Sequence, residues 1–552
     1  MADLARRIAV ARGDEPADLV LTGGQVLSVF TREWLDTSVA IVDGWIAGLG
    51  DYEGRETIDV RGKFLVPGFI DAHMHLESPK LLPDEFARLV LPLGTTAVVA
   101  DPHEIANVLG ADGVHWFIEF CSELPLDVYF TASSCVPASP FESPLRPLDD
   151  DDLESLLRRR RVLGLAEMMN FPGVIAGNSS ELSKLALPGA EHADGHAPGV
   201  TGKELNAYAA AGIRSDHEAL TLEEGRERLR AGIWLLIREA SMARNLHALL
   251  PLIREFGPSQ IAFCTDDRDP DDIADDGHMN GMVRKAVAAG VPPEDALVVA
   301  TLNPARWHLL HHLGALAPGY RADILVLPDL ESFHPDVVLK GGRRIGEFAR
   351  PEVPEWVQQS VRIAPLSLAD FTVPDCKRVR AIGLIPDQVV TESLVVDAAD
   401  DTLAKIAVIE RHLATGRVGL GFVHGSGLQR GALASTVAHD AHNIVVLGKS
   451  DDDMLAAVER VVELGGGIVA IDEGRVVAEC PLPVAGLLSV APLADVIAQN
   501  RACNDAAHAL GWSGATPFLT VSFLGLSVIP ALKITDRGLV DVEKFEFVPL
   551  CC

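Results

Sequence analysis

The chain has no uninterrupted apolar run of about 18 residues, so none of its 552 residues reads as a membrane span. Its N-terminus, MADLARRIAVARGDEP, carries arginines followed by acidic residues. It lacks the apolar core and cleavage site of a secretory leader, so a cytoplasmic protein is expected. The eight cysteines, among them the adjacent Cys551 and Cys552, show no CxxC and no regular spacing. Neither a disulfide framework nor a thiolate zinc site is therefore expected. Positive charge is scarce: 47 Lys and Arg stand against 78 Asp and Glu, a net charge of −31. Such a surface repels phosphate backbones and anionic lipid, which excludes nucleic acid and membrane as expected partners and favours a small, uncharged substrate. The four arginines at 158–161 read as one solvated helix face. There is no internal repeat and no low-complexity tract.

What is present is length enough for two or three domains. Short apolar runs separated by turn signals, such as DLVLTGGQVLSV and SVAIVDGWIAGLG, predict a small β unit near the N-terminus. The same texture returns in APGYRADILVLPDL and PDVVLKGGRRI. The economical reading is one β-sandwich domain built from two flanks, 1–65 and 318–350. Between them, eight apolar runs alternate with helical stretches, the pattern of a (β/α)8 TIM-like barrel over 66–317. After the Pro-rich PEVPEW the texture changes again, predicting a C-terminal α+β domain over 351–552.

The barrel runs end in FIDAHMH, DPHE, LAEMMN, DGHAPG, SDHE and CTDD, placing His, Asp or Glu where barrel active sites sit. His73 and His75 are two residues apart and so share one face of a strand. With Glu167, His196, His217 and Asp266 they offer four imidazoles and two carboxylates, a ligand set suited to Zn, Mn or Fe. Any one of these residues alone reads more readily as a structural histidine or a solvated acid; six at successive strand ends read as a metal site. They exceed the needs of one tetrahedral ion, which points to two ions about 3.5–4 Å apart with Glu167 between them.

PGFIDAHMHLES, DPHEIANVLG, AEMMNFPGV, DGHAPG, SDHE, CTDDRDPDD and, far downstream, GFVHGSGLQRGALASTVAHDAHNIVVLG together resemble the bacterial adenine deaminases of the amidohydrolase superfamily. The resemblance covers nearly the whole chain. Cyclic amidases of the superfamily usually bridge their metals with a carbamylated lysine; GLAEMMNFPG contains none, and its glutamate matches the adenine deaminase pattern. The resemblance implies hydrolytic deamination of adenine to hypoxanthine and ammonia, with hydroxide held by two divalent metals (Mn or Fe, with Zn a third option) attacking C6. It implies that His73 and His75 hold one ion, His196 and His217 the other, with Glu167 bridging. Asp266 then touches a metal, takes the proton of the attacking water and passes it to ammonia.

Glu104 in DPHE and Glu218 in SDHE are the expected donors of a proton to the ring, although in a regular strand Glu218 points away from His217. Asp101 and His103, spaced like the first pair, read either as supplying a further ligand or a partner that orients one, or as a loop anchored by its own hydrogen bonds. Asn170 and the backbone around PGV are read as a contact to the purine edge, and Asp267 as a residue that supports the site or caps a loop. His439, Asp440 and His442 in VAHDAHN suggest a second metal cluster at first sight, but packing of the C-terminal domain over the barrel mouth is the preferred reading. Two rivals remain: an amidohydrolase acting on an N6-substituted purine or another heterocycle, and a metal-binding scaffold without catalysis. A homo-oligomer is expected, as for most soluble enzymes.

Overall fold

The computed structural model describes residues 2–386 and 388–552. Its centre is a ring of eight parallel strands: β1 (Phe69–Met74), β2 (Thr95–Ala100), β3 (Asp127–Ala132), β4 (Val162–Met168), β5 (Ala193–Gly195), β6 (Ser215–Asp216), β7 (Trp234–Arg238) and β8 (Ile261–Cys264). Strands β1 to β5 form one sheet and β6 to β8 another. The first three are buried along almost their whole length, which suits apolar runs in a parallel sheet covered on both faces.

Two seams close the ring. At one, the Asp266 amide donates to the His73 carbonyl (3.1 Å), and Met74 bridges Asp266 in parallel. At the other, Gly195 N donates to Ser215 Oγ (3.1 Å). A Cβ on Gly195 would lie 2.2 Å from the Ser215 carbonyl, so only glycine lets β5 and β6 come this close.

Strands from both sides of the barrel share one sheet. Phe64–Pro67 pairs with Ile324–Leu327, placing Leu65 opposite Val326. A four-stranded sheet built from residues 17–59 packs on it, and Leu19, Val26, Ile41, Leu65, Ile324 and Leu339 fill the space between them.

The C-terminal segment forms an eight-stranded sheet flanked by Asp451–Glu463 and Leu493–Ala509. The first of these helices is capped by Ser450, whose Oγ accepts from Asp453 N (3.2 Å), and three aspartates occupy its first turn. One apolar core runs from Met74, Leu81 and Leu82 of the barrel into Leu433, Leu447 and Leu482 of the C-terminal segment. The seam between them is thus a packed interior.

The cysteine reading needs one correction. Cys376 and Cys551 are disulfide-bonded, their Cα atoms 5.8 Å apart. They meet because Cys551 bridges antiparallel to Val379, pairing the chain's last residues with the strand Arg378–Leu384. A contact across 175 residues of sequence leaves no trace in spacing. Among the described residues, no helix is long and apolar enough to cross a membrane.

Candidate functional site

At the C-terminal mouth of the barrel, His73 lies in β1 and His75 just beyond it, Glu167 lies in β4, and His196, His217 and Asp266 follow β5, β6 and β8. None is more than 5% exposed. The Glu167 carboxylate divides between two histidine pairs. Its Oε1 lies 3.3 Å from His75 Nε2 and 3.7 Å from His73 Nε2. Its Oε2 lies 2.8 Å from His196 Nδ1 and 3.4 Å from His217 Nε2. Asp266 Oδ1 stands 2.9 Å from His75 Nε2 and 3.7 Å from His73 Nε2. Asp266 has a φ of 57°, a left-handed turn that swings its side chain back toward the first histidine pair.

These atoms fit divalent cations. Donors around one tetrahedrally bound ion stand about 3.4 Å apart, close to most of these separations. His73 Nε2 and both ring nitrogens of His196 are buried with no hydrogen-bond partner, so the protein leaves them free to ligate. Burial alone would strip His75 of its proton, but Asp267, Asp266 and Glu167 outweigh burial and hold its pKa well above the ordinary value. A field that favours a proton on His75 favours any cation at that point. Likewise burial pushes Glu167 up, yet His217, His196 and His75 win and hold it well below the usual carboxylate range.

Glu218 requires a correction. It does not point away from His217: its Oε1 lies 3.3 Å from His217 Nε2 and 3.6 Å from His196 Nδ1. The alternation of a strand does not apply, because β6 is only Ser215–Asp216 and the chain has already turned. A residue missed in the sequence explains its state. Arg238, at the end of β7, pairs with Glu218 through both terminal nitrogens and reaches Asp266 Oδ2 at 2.7 Å. Burial opposes the charge of Glu218, but Arg238 and the neighbouring histidines hold its pKa far below normal. The same guanidinium helps hold Asp266 well down against its burial. A lone arginine closing the apolar run GIWLLI is the signal that could have found it.

Other expected residues fall in different places. Glu104 is fully buried behind the chamber wall, 3.4 Å from Ser78 Oγ, and burial raises its pKa. Ser78 Oγ donates to Asp267 Oδ1 at 2.5 Å, and Asp267 lines the chamber. Asn170 does not face the chamber. Its side chain caps the helix Phe171–Ile175 by accepting from Gly173 N (3.1 Å), the local role that a helix start assigns to asparagine. Asp101 Oδ2 stands 3.3 Å from His103 Nδ1, and His103 lines the chamber beside His75.

The C-terminal segment completes the enclosure. Val389, Phe523, Leu526 and Ile529 face the metal-ligand candidates across the chamber, with Met242 from the loop after β7. His439 and Asp440 also line it, whereas His442 does not. A neighbouring vestibule shares Glu218, Arg238, Met242, Val389 and Ile529 with the chamber and leads outward between residues 241–248 and 515–516.

Residues 64–345 match the model of the amidohydrolase family, and residues 385–546 match that of the adenine deaminase C-terminal domain. The chain is 45% identical to "Adenine deaminase 2" of Carboxydothermus hydrogenoformans, covering 98% of each chain. It is also 45% identical to an adenine deaminase of Brucella anthropi, over 99% of this chain and 100% of that one. A solved structure of an adenine deaminase aligns with a TM-score of 0.46 at 16% identity, covering 60% of this chain and 100% of that one.

Proposed function

The chain belongs to the adenine deaminase family of the amidohydrolases, and from that premise we propose that it hydrolyses adenine to hypoxanthine and ammonia in the chamber at the barrel mouth. The observation that carries the reading is the Glu167 carboxylate divided between two histidine pairs, with Asp266 on one of them. His73, His75 and Asp266 would hold one divalent cation and His196 and His217 the other, with Glu167 shared. Mn, Fe and Zn all suit this set. When bound, such a pair acidifies water enough to supply a nucleophile near neutral pH.

The remaining work belongs to side chains. Asp266, kept ionised by Arg238, accepts a proton from the attacking water and returns one to the departing ammonia. Glu218 is held as a carboxylate by the same arginine, so it suits accepting a hydrogen bond from the base or assisting a cation better than donating a proton. The ring's proton then comes from Glu104, which burial favours in its neutral form, through Ser78 to Asp267 at the chamber surface, and the proton lost from the C6 hydroxyl as ammonia departs restores Glu104 by the same path. Val389, Phe523, Leu526 and Ile529 exclude water and confine a flat, uncharged base. In this reading the chain divides into a β unit from 1–65 and 318–350, a catalytic barrel over 66–317 and a covering domain over 351–552.

The test is turnover of adenine by metal-reconstituted protein, following hypoxanthine by its ultraviolet spectrum while metal is counted. Conversion with cations bound at the barrel mouth is expected. Bound cations without conversion of adenine would overturn the substrate, and active protein without bound metal would overturn the site.

A further inference from the structure

A second group of donors borders the six barrel-mouth residues and uses none of their side chains: His103 packs against His75, ring centroids 4.6 Å apart, with its Nδ1 4.0 Å from Glu167 Oε1, while its Nε2 faces the C-terminal segment. His103 Nε2 stands 3.5 Å from Asp440 Oδ1, and His439 Nδ1 stands 3.6 Å from the same oxygen. One donor from each of the three lies within 4.8 Å of the others, and all three residues are buried. Donors on one tetrahedral ion sit about 3.4 Å apart, so these separations suit a shared ion and are long for hydrogen bonds. His103 Nε2 and Asp440 Oδ2 have no hydrogen-bond partner, the same condition that marks His73 and His196 at the barrel mouth.

The far side of the His103 ring points the same way. A metal-bound imidazole usually directs its other N–H at a carboxylate. His103 Nδ1 faces Asp101 Oδ2 at 3.3 Å, and Asp101 is itself fixed by Ser133 Oγ at 2.9 Å. His439 Nε2 has Asp267 Oδ1 only at 3.9 Å, beyond hydrogen-bond distance, and its ring is held instead by stacking on Phe523, with centroids 4.6 Å apart and planes 9° from parallel.

His442, three residues on, behaves differently and shows that the pattern is selective. Its Nδ1 accepts from Ala438 N at 3.1 Å, so in the neutral ring Nε2 carries the hydrogen. That N–H faces Glu104 Oε2 at 3.7 Å and has no lone pair for a cation.

From this arrangement we propose a further divalent-cation site at the seam between barrel and C-terminal segment, formed by His103 Nε2, His439 Nδ1 and Asp440 Oδ1. Two imidazoles and one carboxylate suit Mn, Fe or Zn. Three protein donors leave a coordination position free, and because all three residues line the chamber that position is available to substrate or water. Two of the donors come from the C-terminal segment, so the ion also ties that segment to the barrel.

The test is metal counting on the full-length protein, stripped by a chelator, reloaded with Mn2+ alone, desalted, and measured against protein concentration. Three ions per chain are expected in the wild type and two in D440N. H103Q, altered only on the barrel side, must show the same loss of one ion; this keeps the test decisive if D440N does not fold. The barrel-mouth variant H73A/H75A must keep the ion that D440N loses. Two ions in the wild type, unchanged in D440N and H103Q but reduced in H73A/H75A, would overturn the seam site and leave the proposed function standing. One ion, lost only in D440N and H103Q, would support the seam site and overturn the barrel-mouth pair.

Discussion

On the barrel side of the chamber stand His73, His75, Glu167, His196, His217, Glu218 and Asp266, all ionisable and buried. On the other stand Val389, Phe523, Leu526 and Ile529, all apolar, with His439 and Asp440 at their edge. The first wall hangs from strand ends, whose backbone positions are set by the barrel ladder. The second comes from loops and the short helix Pro517–Phe523 of the C-terminal segment. Ionisable groups are thus placed on the barrel ladder, and apolar enclosure on the C-terminal segment packed against it. The apolar wall still acts on the polar one, because excluding water strengthens every charge interaction across the chamber.

The division is broken most directly at Asp266. Asp266→Asn keeps the shape and the Arg238 contact but removes the proposed proton acceptor, and a turnover loss of about 10²–10⁴-fold is expected. Steady-state rates at matched metal content check this. Near-normal turnover would remove Asp266 from proton transfer and leave the barrel wall a ligand set only.

Arg238→Met comes next. It strips the common partner from Glu218 and Asp266 and leaves two carboxylates buried without their counter-charge. Removing one partner of such a buried network costs about 3–5 kcal/mol. Denaturant unfolding of the metal-free protein should show that loss, and saturating Mn2+ should restore part of it by replacing the missing positive charge. A metal-independent loss would mean that Arg238 serves packing alone.

The two walls also differ in how far sequence exposes them. The eight barrel strands and the residues at their ends are legible because burial on both faces and the period of a strand are local properties. Glu218 escapes that logic because the period does not extend past a strand that stops at Asp216. Asn170 escapes it because a helix cap and a ligand contact look alike in sequence. The strands and the helix Asp451–Glu463 of the C-terminal segment are visible in the sequence, but not which residues face the chamber. Phe523 and Val389 reach it only through packing across the seam, as Cys376 reaches Cys551.

Lys533 sharpens the comparison from the apolar side. It is fully buried and donates to the carbonyls of Val389 (2.7 Å) and Phe523 (3.0 Å), tying together two parts of the wall. Burial lowers its pKa from 10.5 to about 7. The unfolded chain therefore binds more protons between those values. The stability contributed by the neutral amine is full above 10.5 and is lost as pH falls through 7. Every tenfold drop in proton affinity on folding corresponds to about 1.4 kcal/mol. Lys533→Met removes this titration, so the melting temperature of the wild type relative to the variant should fall from about pH 9 to about pH 6. A difference independent of pH would show that the ammonium is satisfied by its two carbonyls.

The smallest expected effect is at Phe523. Phe523→Leu keeps an apolar side chain against Leu526 and Ile529 but removes the ring stacked on His439. Stacked aromatic pairs contribute about 0.5–1.5 kcal/mol beyond the area they bury. If the wall only confines the base, that loss falls on binding: KM for adenine rises by roughly tenfold or less while kcat stays near the wild-type value. If His439 instead needs the ring to keep its donor aimed at the seam, kcat falls as well and the Mn2+ count drops with it. Kinetics and metal content on one variant therefore decide whether the apolar wall is passive cover or part of the machinery it faces.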